Sequence, residues 1–315
     1  MDRQTEITTP GALLNEKGDL ARPGFSRALV QEYRRADVKV SPLRVKEWDY
    51  YLVNNGKFAL ALTVADNGYM GLDSVSLLDL EEGWEITKSP MSFLPLGKKH
   101  LPETSVTGDV HSAARGYGIH FIHEGEKRVL IAYMNKFGES ALSARVELTE
   151  CPEDSLVIAT PFDKPGHFYY NQKIVGFRAS GYVNYNGKTY TFEPSDSFAV
   201  LDWGRGVWTY HNTWYWGSAS GQVDGVPFGW NIGYGFGDTS AASENMLFYG
   251  GRAHKLGQVT FKIPVKNKKY VTRGGCCGAS GIEACTADLI EDYMSPWTFT
   301  SDDGRFEMDF VPIID

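Results

Sequence analysis

The chain of 315 residues carries 31 Lys and Arg against 39 Asp and Glu, a formal charge of −8. An acidic chain lacks the cationic face that sequence-independent phosphate binding requires, so nucleic acid is not an expected partner. A 42% hydrophobic content can fill an ordinary core, and 17 Phe, 17 Tyr and 8 Trp beside 34 Gly point to strands joined by tight turns.

The opening residues, MDRQTEITTPGALLNEKGD, are polar and lack the apolar core of a signal peptide. No run approaches the ~18 apolar residues that span a bilayer. The expectation is a soluble cytoplasmic protein that does not span a membrane. Residues 24–37 (GFSRALVQEYRRAD) place Leu29, Val30 and Tyr33 near one face, which predicts a short helix within an N-terminal extension, 1–40.

From Leu43 onward the apolar period becomes two, the strand signal. Phe58, Leu60, Leu62 and Val64 alternate with smaller residues between the turn dipeptides Asn55-Gly56 and Asn67-Gly68, and Val75–Leu80 follows. Paired segments recur at 117–123/128–133, 174–185/189–192 and 217–223/228–234, joined at Gly125, Asn186-Gly187 and Asp224-Gly225. Asn-Gly and Asp-Gly supply the positive φ that two-residue hairpins need. Meanders of this kind predict antiparallel barrels or sandwiches. The stretch 151–166, with Pro152, Pro161 and Pro165, reads as a linker and divides a first β lobe, 41–170, from a second, 171–315. Cys151, Cys276, Cys277 and Cys285 match no CxxC spacing and are expected as reduced thiols. His120 and His123 face opposite sides of a strand and cannot share an ion, so no metal is expected.

The densest segment is 168–235. It contains Tyr169-Tyr170, Ser180-Gly181, Asn186-Gly187, Tyr190, Asp202-Trp203-Gly204 and Trp214-Tyr215-Trp216 in that order. Here the chain resembles the superfamily of two-lobed lipocalin-like proteins that includes carotenoid 1,2-hydratase, tocopherol cyclase and AttH-type proteins. More narrowly, PGALLNEKGDLARPGFSR, KEWDYY, LDWGRG, SENMLFYGG, MSPW and DGRFEMDFVP look like a bacterial family of uncharacterised function, DUF2804. The resemblance implies an all-β fold of two antiparallel, calycin-type barrel or sandwich lobes behind the short helical extension. Hydratase-type members usually carry Asp-His where this chain has Asp202-Trp203, so the imidazole is absent at that point. The chain closes on Phe310–Asp315 in strand-like sequence, where a shorter closing hairpin than in relatives is expected.

Asp202 follows the apolar run Phe198–Leu201. Burial raises a carboxyl pKa, and a carboxylic acid kept protonated near neutrality can protonate an alkene or enol. Trp203, Trp208, Tyr210, Trp214 and Trp216 offer ring faces to a developing carbocation. The alternative for Asp202 is a structural ion pair with Arg205, which would lower its pKa and remove the acid role. Arg205 also suits an anionic substrate group. Trp48 and Asp49 in the first lobe provide a further ring and a second carboxyl, and Glu244, just before the strand Met246–Tyr249, provides a carboxylate for the cavity mouth.

The expected function is binding of an apolar or amphipathic small molecule in an aromatic-lined β cavity, with Asp202 as the candidate acid for isomerisation, hydration or cyclisation. As an enzyme the protein would be a lyase or isomerase, and no cofactor is expected. Two alternatives stand beside it. One is a non-catalytic carrier of lipophilic ligands. The other is a carbohydrate-active protein, for which aromatic platforms and paired carboxyls are also suited.

Overall fold

The computed structural model describes residues 4–257 apart from Thr213, together with the strand segments 259–262, 265–266, 269–270, 297–301 and 307–310. Cys276, Cys277 and Cys285 lie outside the described residues. The chain forms two compact units, residues 1–255 and 256–315.

The first unit opens with three short strands, β1 (Gly11–Ala12), β2 (Gly24–Ser26) and β3 (Gln31–Glu32). A meander follows: β4 (Lys46–Asn54), β5 (Phe58–Asp66), β6 (Met70–Asp79), β7 (Trp84–Lys88) and β8 (Met91–Phe93). A second meander comprises β9 (Val110–Ala114), β10 (Tyr117–Glu124), β11 (Lys127–Phe137) and β12 (Ser140–Thr149). Then come β13 (Leu156–Pro161), β14 (Phe168–Tyr185), β15 (Lys188–Phe192) and β16 (Phe198–Val207). Residue 170 lies within β14. The unit ends in β17 (Tyr215–Val223), β18 (Val226–Tyr234), β19 (Met246–Tyr249) and β20 (Arg252–Lys255).

The hairpins follow from their turns. Asn186 (φ 49°) and Gly187 (φ 73°) join β14 to β15, and Asp224 (φ 52°) and Gly225 (φ 77°) join β17 to β18. Both central residues of each loop are left-handed, as a type I′ turn requires.

Two sheets result. The larger has 14 strands, ordered β7-β6-β5-β4-β16-β14-β12-β11-β10-β9, with β2, β8, β13 and β15 attached. The smaller is β17-β18-β19-β20. The expected pair of barrel or sandwich lobes is therefore corrected: the first and second meanders belong to one sheet, because β16 inserts between β4 and β14. That sheet curls, with β5 approaching β10 and β7 approaching β11, but its terminal strands β7 and β9 do not pair and no barrel closes. The second unit holds a three-stranded antiparallel sheet, 259–262/297–301/307–310, and a short hairpin, 265–266/269–270.

The expected N-terminal helix is also absent. Residues 24–37 supply β2, β3 and a single 3₁₀ turn at Arg35–Asp37, and there is no α-helix among the described residues. Leu29 and Tyr33, two of the apolar side chains that suggested one helical face, both pack against the main core, but from non-helical chain, and Tyr33 donates its hydroxyl to Glu47 Oε1 at 2.8 Å. Phe25, in β2, enters the other core cluster. Tertiary pairing overrides a weak local preference.

Strand alternation gives the large sheet two buried faces. The concave face carries the main core, including Tyr51, Phe121, Tyr170, Phe177, Leu201 and Trp203. The opposite face of β13, β14, β16 and β4 packs with Phe236, Met246 and Phe248 in a second core, which includes Tyr169, Val175 and Val200. In β14 the parity changes once. Tyr170 and Ile174 face the main core before a bulge between Val175 and Phe177, and Phe177, Ala179 and Val183 face it afterwards. The extra residue of a bulge reverses the side-chain alternation.

On the concave face Arg205 is fully buried. Its guanidinium donates to Asp49 Oδ1 at 2.9 Å and to the carbonyls of Trp48, Gly204 and Pro102. Removing one partner of a buried pair leaves the other charge uncompensated. Asp49→Ala is expected to lose ~3–5 kcal/mol in urea unfolding, with partial recovery when Arg205→Met is added. A loss below ~1 kcal/mol would mean that the pair behaves as a solvated one.

Candidate functional site

The register of three strands builds a polar row on the convex face. Lys173 of β14 pairs with Asp202 of β16, which pairs with Tyr50 of β4. Cross-strand partners share a face, so the three side chains stand together. Lys173 Nζ lies 2.7 Å from Asp202 Oδ2 and 3.5 Å from Glu244 Oε2. It also sits 4.7 Å from the centroid of the Trp216 ring. Asn171, one row along, donates its amide to Asp202 Oδ1 at 2.6 Å and to the carbonyl of Trp203 at 2.8 Å.

Glu244 reaches this row from the loop before β19. Its carbonyl accepts from Asn231 Nδ2 at 2.8 Å, and Asn231 Oδ1 accepts from Trp216 Nε1 at 2.8 Å. One asparagine of β18 thus ties the acid to the ring. Burial pushes the Glu244 carboxyl above its ordinary range, and Asp202 reinforces the shift while Lys173 opposes it. Asn171 Oδ1 is buried without a hydrogen-bond partner, and Glu244 Oε2 has the long 3.5 Å contact with Lys173. Such unmet acceptors are costly unless a proton or an incoming donor satisfies them.

Aromatic rings flank the row. Trp48 stacks on Tyr169 (5.9 Å) and meets Trp208 edge-on (5.3 Å). Phe236 then joins Tyr169, Trp208 and Trp214 at 4.7–5.4 Å. Gly204 makes this possible, because a Cβ there would stand 2.1 Å from the Trp48 ring. Burial also raises the Tyr169 phenol well above its usual value, with contributions from Glu244 and Asp202.

A second feature is an aromatic-lined cleft of ≈ 410 Å³ at the far end of β14, bounded by Trp84, Ile86, Tyr185 and Tyr190 and rimmed by Glu82, Glu139 and Lys188. Lys173 and Tyr185 are separated by about 40 Å of extended strand, so cleft and polar row are different places.

The sequence-predicted residues divide between these surroundings. Asp202, Trp216 and Glu244 meet at Lys173, and Trp48, Trp208 and Trp214 join the adjoining aromatic cluster. Trp203, Asp49 and Arg205 face the concave core instead. Tyr210 is 82% exposed, its ring beside His211 and Arg44. Asp202 and Arg205 do not pair. Three positions apart on one strand, they point to opposite faces, and each has its own partner. Sequence reasoning missed Lys173. Its signal was a lysine inside the apolar strand run FYYNQKIVGF, on the parity of Tyr169, Asn171 and Val175.

Comparison with known proteins gives a family and a likeness in fold. A family model described as a domain of unknown function, DUF2804, matches residues 4–315. The chain belongs to the DUF2804 family. In fold, this DUF2804 protein is similar to a protein described as AttH from Nitrosomonas europaea, at 13% identity and a TM-score of 0.52, covering 90% of this chain and 85% of that one. Weaker similarity extends to kievitone hydratase from Nectria haematococca, at 9% identity and TM-score 0.41 over 92% and 82% of the two chains. CghA with Sch210972 gives 9% identity and TM-score 0.40 over 96% and 85%. No curated protein matches the chain.

Two measurements check the site as built. Because the folded-state pKa of Glu244 is raised, its contribution to stability is present below the unfolded value of ~4.3 and lost as pH rises through the folded one. Glu244→Gln, which mimics the protonated acid, is expected to gain melting temperature relative to wild type as pH rises above the ordinary carboxyl value of ~4.3. The opposite trend would show a carboxylate stabilised by Lys173. Separately, Gly204→Ala displaces the Trp48 ring and is expected to cost ~1–3 kcal/mol, with a changed tryptophan emission; an unshifted spectrum and unchanged stability would place Trp48 elsewhere.

Proposed function

We propose that this DUF2804 protein binds an apolar or amphipathic small molecule against the rings beside Lys173 and carries out acid–base chemistry on it, with Glu244 as proton donor. The observation that supports this reading is one ammonium shared by two buried carboxyls. Lys173 is held at 2.7 Å by Asp202 and at 3.5 Å by Glu244, so Glu244 is the carboxyl left to keep a proton. Its role replaces that of Asp202, whose contact with Lys173 ties it to a cation.

The chemistry follows from the groups. Glu244 gives its proton to one carbon of an alkene or enol, whose π electrons form the new C–H bond and leave a cation on the neighbouring carbon. Trp216 and Tyr169 offer negative ring faces to that cation. Isomerisation completes when Asp202 takes a proton from the adjacent carbon. Hydration completes when water adds to the cation and loses a proton to Asp202. In both cases the proton then returns from Asp202 to Glu244.

Deuterium labelling tests the proposal. The wild-type protein is incubated in D₂O with a panel of apolar alkenes such as retinol and geraniol, and carbon-bound deuterium is read by mass spectrometry. Label is expected with wild type and is expected to fall ~10²–10⁴-fold in Glu244→Gln and Asp202→Asn, while quenching of tryptophan emission by the bound compound persists. Equal labelling in the variants would overturn the assignment.

A second reading rests on the cleft at Trp84, Tyr185 and Tyr190. Its rings lie far from the acids, which favours binding without chemistry there. Quenching that is lost in Trp84→Ala but kept in Glu244→Gln, with no labelling in any protein, supports this carrier role.

A further inference from the structure

The segment 91–96 breaks the rule that large apolar side chains are covered. Phe93 is 88% exposed, and Met91, Leu94 and Leu96 are exposed beside it. Leu94 and Leu96 also hold left-handed backbone, with φ of 49° and 53°. Leu adopts that region at a cost that Gly or Asn largely avoids. Fold stability alone therefore favours a small polar residue at both positions. A large apolar residue kept there, strained and turned outward, points to a role outside the fold.

The segment is held firmly. Strand β8 pairs with β6, Leu94 N–H donates to Tyr69 O at 3.0 Å, and Leu96 N–H donates to Gly68 O at 3.3 Å. Beneath them the buried carboxylate of Asp66 accepts from Gly68 N–H and Gly97 N–H at 3.0 and 2.7 Å. This clamp joins two exposed tips into one patch, since Tyr69 is exposed too. Leu43, likewise exposed, borders Gly68, where an added Cβ would meet its carbonyl at 2.8 Å.

Charge selects the partner. The chain is acidic overall, yet exposed Lys88 and Lys98 bracket the apolar tip, and Lys46 lies over the Tyr69 ring at 4.1 Å. The nearby Asp73 is buried and engaged by Lys99 at 2.7 Å. Pro90 and Pro95 flank the three residues of β8, which discourages addition of a partner strand. A protruding aliphatic and phenyl tip between lysines fits acyl chains below and anionic headgroups beside it. We infer that the patch Leu43, Tyr69, Met91, Phe93, Leu94 and Leu96 seats the protein on an anionic lipid surface. None of these residues belongs to the Lys173 row, so the two proposals stand or fall separately.

The test is co-sedimentation of the full chain with phosphatidylcholine–phosphatidylglycerol vesicles and with phosphatidylcholine alone. Wild type is expected to bind the anionic vesicles more tightly, and to release with salt as the lysine contribution is screened. Leu94→Asn with Leu96→Asn suits the left-handed backbone, so this variant is expected to melt no lower than wild type while losing affinity ~10-fold or more. Lys88→Glu with Lys98→Glu is expected to erase the preference for anionic vesicles. Absence of wild-type binding, or equal binding by the Asn variant, would overturn the inference. A wild-type dimer on gel filtration that the Asn variant dissolves, without vesicle binding, would overturn it in favour of self-association.

Discussion

An ammonium group removed from water must find anions, and Lys173 organises its surroundings around that requirement. Asp202 satisfies the charge from the neighbouring strand, and Trp216 covers the remaining side with its ring face. Glu244 then arrives as a second carboxyl against a single cation. Full ionisation of all three groups would leave one buried negative charge without a counter-ion, so burial favours a proton on the group with the poorer contacts. Fixed backbone geometry thereby holds two carboxyls and one ammonium next to apolar rings. Most of the chemistry argued above descends from this mismatch of one cation and two acids.

The same strand serves two unlike interiors. Along β16, Leu201, Trp203 and Arg205 face the concave core while Val200 and Asp202 face the other. The motif LDWGRG therefore distributes its acid and its base to separate networks that share only a backbone. Gly204 contributes by having no side chain, since the space it leaves is filled by Trp48. On β14 the bulge at Gly176 performs the complementary task. It keeps the polar row on the outside near Lys173 and still directs Phe177 and Val183 inward.

Local features were readable from residues alone. Asn186-Gly187 and Asp224-Gly225 marked their hairpins because positive φ is a property of two adjacent residues. Period two marked β5 and β6 for the same reason. Strand order was not readable, because nothing local in KEWDYYLVN says that it neighbours FAVLDWGRGV. The helix expected at 24–37 failed where long-range pairing of Phe25 with the β13 region outweighed a weak periodicity. The ion pair of Asp202 with Arg205 that closeness in sequence suggested is overturned by alternation, which places positions three apart on opposite faces. The pairing of Asp202 with Lys173 required the register of β14, which depends on contacts no single strand encodes.

The pairing of β4 with β16 also sets a timetable for synthesis. Asp49 and Arg205 lie 156 positions apart, and a ribosome adds ~5–20 residues each second. For roughly 10–30 s the first meander exists with one flank of β4 open, its future neighbour still untranslated. Loop closure over such a distance comes late and slowly. During that interval the nascent chain presents a long unpaired strand edge, a surface open to misassociation between neighbouring nascent chains. The charged Asp49 on β4 discourages such contacts until Arg205 emerges to neutralise it, whereas Glu47 has its partner Arg35 from the start.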